Sequence, residues 1–301
     1  MLIHKIILIF TILVCVTVYA DETKTLLVLD MKNISQLPRN FRATSKKLPK
    51  TLNTTGFSEL HIAGGGQYSE LSLQKILQTL QVKNMIVFDL RQESHGFLNG
   101  NAISWFAPRN AINANKTDAE ITQDENNLLQ NLRGLNKVDV HDILQKSNDQ
   151  FISKTQIIKL PVKQVLSEAS LTKKYDLEYH RIYVQDFHAP KPDEVDRFIK
   201  IAKQLPKDEW VYFHCRAGVG RTTTFMVLFD MMRNAKNVSF EDILARQKAL
   251  GGKDLTQLPK VVNHRYHAAV KRLAFLEGFY VYARNNRDDF RSTWSAWVKS
   301  R

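Results

Sequence analysis

The sequence predicts an α/β fold, a sheet with helices packed on both of its faces. Three observations carry this expectation. Strand-like and helix-like segments alternate through the second half of the chain. Met85 to Leu90 is apolar on both faces, the pattern of a strand inside a covered sheet. The chain has 301 residues, 44% hydrophobic and 24% charged, enough to bury the core of one large domain. With 12 Gly, 8 Pro and no internal repeat, it is neither a solenoid nor a disordered scaffold.

The N-terminus reads as an export signal. Lys5 is basic, Ile6 to Val18 is almost continuously apolar, and Val18-Tyr19-Ala20 supplies small residues for cleavage. A transmembrane anchor is the alternative, but spanning a bilayer takes about 20 apolar residues and this run is shorter. Cleavage after Ala20 is expected to leave residues 21–301 as one domain. Cys15 would leave with the signal, and Cys215 would remain as an unpaired thiol. Such a thiol in an exported protein is either buried and inert or reactive.

Leu26 to Leu29 predicts a strand, followed by an irregular segment from Asn33 to Thr55. Leu71, Leu73, Ile76, Leu77 and Leu80 give Ser69 to Leu80 a helical period. Thr117 and Glu120 form a capping box that opens a polar helix to about Leu132. Residues 138–162 are β-branched in patches without helical period. A small β-rich subdomain is expected from about residues 24–32 and 138–165. Tyr179 to Val184 reads as a strand, Pro192 to Leu205 as a helix, and Trp210 to Phe213 as a further strand. Thr222 to Arg233 is an apolar helix, and a longer one runs from about Asn263 to Tyr282.

The segment Val211 to Thr222 carries the strongest chemical signal. A buried strand ends at His214, Cys215 follows, and a helix begins near Arg221. Five residues, Arg216, Ala217, Gly218, Val219 and Gly220, separate the cysteine from the arginine. That spacing lets backbone N–H groups converge on one point at a helix N-terminus, a nest for an anion. Such a field favours a cysteine thiolate, which attacks phosphorus and gives a phosphocysteine that water hydrolyses. Arg221 offers a bidentate fork to two phosphate oxygens, and Thr222 a hydroxyl to the sulfur. His214 is expected behind the cysteine rather than against substrate. The alternative is a structural turn with a packed cysteine, but Cys-x5-Arg-Thr on a strand–loop–helix is far more specific than a lone Gly-rich turn.

His214-Cys215-x5-Arg221-Thr222 matches the signature of the protein tyrosine phosphatase superfamily. More narrowly, Ala217-Gly-Val-Gly-Arg-Thr-Thr223 resembles the bacterial PTP-like (cysteine) phytases, which remove phosphates from inositol hexakisphosphate. Leu37 to Arg42, Asp89 to Gly96, Ser104-Trp105 and Trp294 to Ser300 are also similar to that family. The resemblance implies a phosphatase-like central mixed sheet, stepwise dephosphorylation of the inositol ring, and no cofactor. It implies a general acid on a movable loop, a place that Asp186 fits; Asp193 and Asp196, in the first turns of the next helix, are competitors. His188 stands one position later than the histidine that usually follows that acid.

Further carry-over concerns the rim. Arg265 and Arg272 lie on one helix face, where the phytases carry substrate-binding lysines; a solvated basic face is the alternative. Arg216 replaces the usual glutamate and is expected to point towards the pocket mouth. Asn110 stands where the family has an aspartate. The family's His-Lys pair falls near Ser147-Asn148, with Lys146 beside it as a phosphate-binding candidate. Arg91, Glu93 and His95 are expected to hold the loop rather than touch substrate.

The formal net charge of +13 favours a polyanionic partner. No groove-reading motif is present, so nucleic acid is not expected. The histidines lack ligand spacing, so no metal is expected either, nor is stable membrane insertion after signal cleavage. The leading expectation is a phosphatase acting on inositol hexakisphosphate. The alternatives are a phosphotyrosine, dual-specificity or phosphoinositide phosphatase, and an inactive phosphate-binding module. The last would be signalled by loss of Cys, Asp or Arg, and all three are present. Export to the periplasm or medium is expected, with delivery into a host cell as the alternative.

Overall fold

The computed structural model describes residues 25–147 and 151–301. The expected export signal lies outside these residues, as does Asn148. In chain order the elements are β1 (Leu26–Met31), β2 (Arg42–Ala43), β3 (Ile62–Gly65), α1 (Glu70–Leu80), β4 (Ile86–Asp89), β5 (His95–Leu98) and β6 (Asn101–Phe106). Then follow α2 (Asp118–Arg133), β7 (Lys137–Lys146), β8 (Ile152–Pro161), β9 (Val165–Leu166), α3 (Glu168–Lys174) and β10 (Glu178–Arg181). The chain ends with α4 (Pro192–Ala202), β11 (Val211–His214), α5 (Gly220–Asn234), α6 (Phe240–Leu250), α7 (His264–Asn285) and α8 (Trp294–Lys299).

The central sheet has the order β10-β4-β11-β3-β2. Its first four strands are parallel, and β2 pairs antiparallel with β3. Alternate residues of each strand serve opposite faces. Val211 and Phe213 pack with Ile86 and Phe88 under α4, α5, α6 and α7. Tyr212 and Val87 turn the other way, under α1 and α3. Burial on both sides explains the unbroken apolar runs, and each fully buried side chain of this size stabilises the fold by roughly 1.5–3 kcal/mol. The α/β class read from the sequence is the one observed.

The second sheet has the order β8-β7-β1-β6-β5-β9. Its pairings are antiparallel except β1 with β7. Leu129 and Leu132 of α2 pack on Leu98, Ile103 and Val140 across one face. The α2 capping box closes as expected: the Glu120 amide donates to Thr117 Oγ1 and the Thr117 amide to Glu120 Oε2.

Several boundaries differ from the sequence reading. The Tyr179–Val184 strand leaves its ladder after Arg181, because the Val184 amide turns back to the Ile182 carbonyl at 2.8 Å. The helix expected to reach Leu205 ends at Ala202, and the strand expected from Trp210 begins at Val211. Strand β3, Ile-Ala-Gly-Gly, has poor intrinsic preference for a strand. It forms because β11 and β2 flank it and α5 lies close: a Cβ at Gly64 would stand 2.5 Å from Met226 Sδ.

Strands β3, β4 and β11 end in register, Gly65 and Asp89 both opposite His214. Ligands of open parallel sheets bind beyond such carboxyl ends. Among the described residues, no helix is long and apolar enough to cross a membrane.

Candidate active site

Residues 215–219 curl between β11 and α5. Their shape is set from outside, by partners that take the carbonyls. The Gln67 amide donates to the Arg216 carbonyl at 3.2 Å, Asn40 Nδ2 to the Ala217 carbonyl at 2.8 Å, and Arg42 Nη1 to the Gly218 carbonyl at 2.8 Å. The Val219 carbonyl accepts from Thr223. With these oxygens turned outward, the amides of residues 217–220 face inward and form the nest. Gly218 sits at φ +74°, where a Cβ would come within 2.3 Å of the Gly65 backbone. The motif glycine is there because β3 presses against the loop.

Cys215 lies at the base, 3% exposed. Thr222 Oγ1 is 3.3 Å from its sulfur and 3.2 Å from the Gly65 carbonyl oxygen, so one hydroxyl proton serves two acceptors. Arg221 is fixed by a two-pronged pair with Glu93, at 2.6 and 2.9 Å, and by donation to the carbonyls of Leu90 and Val184. Its buried Nε has no protein partner, which leaves a donor for an anion on the loop. Burial opposes its charge, but Asp186 and Glu93 outweigh burial and strengthen its hold on the proton. Asp186, on the loop after β10, places Oδ1 3.4 Å from Arg221 Nη2 and accepts from Asn110 Nδ2 at 3.4 Å.

Two chains of paired side chains lie behind the loop. In one, Arg221 pairs with Glu93, Glu93 with Arg91, and Arg91 with Asp30, which meets Arg216 Nε at 2.6 Å. Burial would raise the Asp30 pKa, yet Arg216 and Arg91 hold it at about 2. Burial is likewise outweighed at Glu93, by Arg221 and Arg91, so this carboxylate stays well below its usual range. In the other chain His214 Nε2 lies 2.7 Å from Glu168 Oε1, and His95 Nε2 lies 2.9 Å from Glu168 Oε2. Burial works against a charged His95, but Asp89 and Glu125 raise its pKa to about 10.

Asp89, His95 and Glu168 are the grouping of metal-ligand type among the described residues. Within it, His95 Nδ1 meets the Glu93 carbonyl oxygen at 2.8 Å and its Nε2 meets Glu168 Oε2 at 2.9 Å, so the three side chains are joined by their own hydrogen bonds. The cluster braces the loop from below.

Above the loop opens a cleft of about 690 Å³, lined by Cys215 to Ala217 and Val219 to Arg221, by Asp186, and by cations on two walls. On one wall Lys146 Nζ stands 3.9 Å over the Phe106 ring and Arg216 5.3 Å from the same ring. On the other are Lys253, Arg265 and Arg272. Arg265 lies 5.1 Å from the Phe187 ring, next to Asp186 in the chain. Arg216 reaches the cleft but pairs with Asp30, so it adds less free charge there than its sequence position suggested. His188 is exposed and is not brought to the cleft, because its Nδ1 bonds the Asp186 carbonyl of its own loop at 2.8 Å. The sequence reading missed Asp30, Asn40, Arg42, Glu168 and Lys253. Asn40 and Arg42 lie in the Leu37–Arg42 segment singled out for its resemblance, and the structure supplies the physical reason: they clamp the loop. Nothing in the local sequence marks the other three.

A profile of the PTP-like phytase family, described by the words inositol hexakisphosphate, matches residues 88–233. The chain is similar to the effector protein hopD2 of Pseudomonas syringae pv. tomato, 31% identical over 266 residues, 85% of this chain and 56% of that protein. Among solved structures, it resembles a PTP-like myo-inositol phosphatase from Mitsuokella multacida in complex with myo-inositol-(1,3,4,5)-tetrakisphosphate. The TM-score is 0.86 at 34% identity, covering 93% of this chain and 48% of the other. It also resembles a PTP-like phytase from Bdellovibrio bacteriovorus, with a TM-score of 0.73 at 31% identity, covering 94% of this chain and 98% of the other. The chain thus spans about half the length of the Pseudomonas and Mitsuokella proteins.

Proposed function

Since the chain belongs to the PTP-like phytase family, we propose that it is an inositol phosphate phosphatase that removes phosphates stepwise from myo-inositol hexakisphosphate. The observation that carries this reading is the convergence of Cys215, Arg221 and Asp186 under a cleft with cations on both walls.

Cys215 Sγ attacks phosphorus while the bond to the inositol oxygen breaks. Asp186 gives its proton to that oxygen, which would otherwise leave as a poor alkoxide. The inward amides and Arg221 hold the equatorial oxygens as charge develops on them. In the second half, Asp186 as carboxylate takes a proton from water, and the water oxygen bonds phosphorus as the S–P bond breaks. Thr222 donates to the departing thiolate. Phosphate leaves and Asp186 is again protonated for the next turnover. Glu93 and Asn110 position Arg221 and Asp186. Lys146, Arg216, Arg265 and Arg272 hold phosphates that are not being cleaved, while the loop holds the one that is.

The relationship to an effector protein supports delivery into a host cell as a destination for this chain, beside export to the periplasm or medium.

The test is phosphate release from inositol hexakisphosphate, beside a phosphotyrosine peptide and a phosphoinositide, with Cys215→Ser as control. Rapid release from the hexakisphosphate, abolished in the variant, is expected. Release confined to the peptide or lipid would overturn the substrate, and no Cys215-dependent release from any of them would overturn the enzyme.

A further inference from the structure

Lys253 is far from the phosphate loop in sequence and belongs to no recognised motif, yet it lines the cleft beside Arg265 and Arg272. Its backbone is tied to the loop itself. The Lys253 amide donates to Thr223 Oγ1 at 3.1 Å. The same hydroxyl accepts from Arg42 Nη2 at 2.9 Å, while Arg42 Nη1 holds the Gly218 carbonyl. The turn before it is forced: Gly251 sits at φ +116°, and a Cβ at Gly252 would lie 2.6 Å from the Gln247 carbonyl oxygen. Lys253 is therefore placed with the loop's own precision rather than left on a free surface strand.

The charge around it is offset from a distance, by Asp186 acting on Arg272. Arg272 is only 4% exposed, and its Nε is buried without a partner, as is the Nε of Arg265. Arg272 also stands against the loop, since a Cβ at Gly220 would come 3.3 Å from its Nη1. No ion pair joins Lys253, Arg265 or Arg272 to a carboxylate within 4.0 Å among the described residues. The nearest carboxylate in sequence, Asp254, is turned to Lys248 at 2.7 Å and to Thr256. Burial, then Arg272 and Arg265, push the Lys253 pKa down. Three converging cations, two of them with an orphaned Nε, cost stability when empty and recover it when an anion neutralises them.

We propose that Lys253 is a further phosphate-binding residue, joining Arg265 and Arg272 to hold a phosphate on the same molecule whose neighbouring phosphate occupies the loop. This rests on the inositol phosphate reading above and adds a specificity determinant to it. Substrates with a second phosphate within reach engage both the loop and Lys253, and a lone phosphomonoester fills only the loop.

Binding separates the role of Lys253 from turnover. Inositol hexakisphosphate is titrated into Cys215→Ser, into the double variant Cys215→Ser/Lys253→Met, and into Cys215→Ser/Lys253→Arg, by calorimetry. The methionine should weaken binding about tenfold and the arginine should restore most of it. In the active enzyme, Lys253→Met should lower kcat/KM for the hexakisphosphate about tenfold further than for p-nitrophenyl phosphate. Unchanged affinity on Lys253→Met, or equal losses on both substrates, overturns that role and leaves the enzymatic reading intact. Wild-type protein that binds the hexakisphosphate through Lys253 but never hydrolyses it would instead overturn the enzymatic reading and leave the role of Lys253.

Discussion

Lys146 reaches the cleft from the end of β7 with an aromatic ring beneath it and, among the described residues, no carboxylate in bonding distance. Burial, then the charge of Arg216, push its pKa down to about 7, with Asp30 and Asp186 too weak to offset them. The sign follows directly: the side chain is a cation below about pH 7 and neutral above it. A polyphosphate binds the cation better, so KM for inositol hexakisphosphate should climb as pH rises through 7. Lys146→Arg keeps its charge across this range, and the difference between the two profiles isolates Lys146 from the substrate's own titration. Identical profiles would remove Lys146 from substrate binding. At this scale the sequence announced Cys215, Arg221 and Thr222 through spacing, Asp186 through the family resemblance, and Glu93 through its neighbours. Asp30 and Glu168 were silent because a buried counter-ion is recognised by what lies across from it in space, which no local pattern records.

Among the elements, β4, β11 and α5 were legible because burial on every side leaves an apolar run without polar interruption. β3 was illegible for the opposite reason: its glycines are selected by the close approach of α5 and the phosphate loop, which overrides strand preference. The same closeness makes a prediction. Gly218→Ala forces a side chain into a left-handed backbone at φ +74° and drives its Cβ towards the Gly65 backbone. Such strain costs about 1–3 kcal/mol. Relief by shifting the loop would move the amides out of line, because Arg42 holds the Gly218 carbonyl. Phosphate release should fall by about two orders of magnitude, as when donors to a developing oxyanion are lost. Urea unfolding should show a stability loss within that 1–3 kcal/mol range. A variant with full activity would mean that the loop's shape does not depend on this contact.

Across the whole molecule, the cleft lies where the two sheets meet. The central sheet brings Cys215 and Arg221, while the second sheet brings Asp30 from β1, Phe106 from β6 and Lys146 from β7. The two sheets share a core, where Phe97 and Ala102 of the second pack with Val87 and Tyr212 of the first, and the ion pairs from Arg216 to Arg221 tie the rim to the loop. The excess of +13 adds a long-range field to these local cations, and a cleft focuses it. Such a field is screened over about 10 Å at 0.1 M salt and about 3 Å at 1 M. The ester bond broken is the same in every substrate, so chemistry at Cys215 should respond little to salt, whereas capture of a highly charged ring should respond strongly. Raising salt from about 0.1 to 1 M should therefore lower kcat/KM for inositol hexakisphosphate by about tenfold or more, within the range of electrostatic steering. The value for p-nitrophenyl phosphate should change far less. Steady-state kinetics on the two substrates at matched pH measure the difference, and equal sensitivity would show that the basic surface plays no part in choosing the substrate.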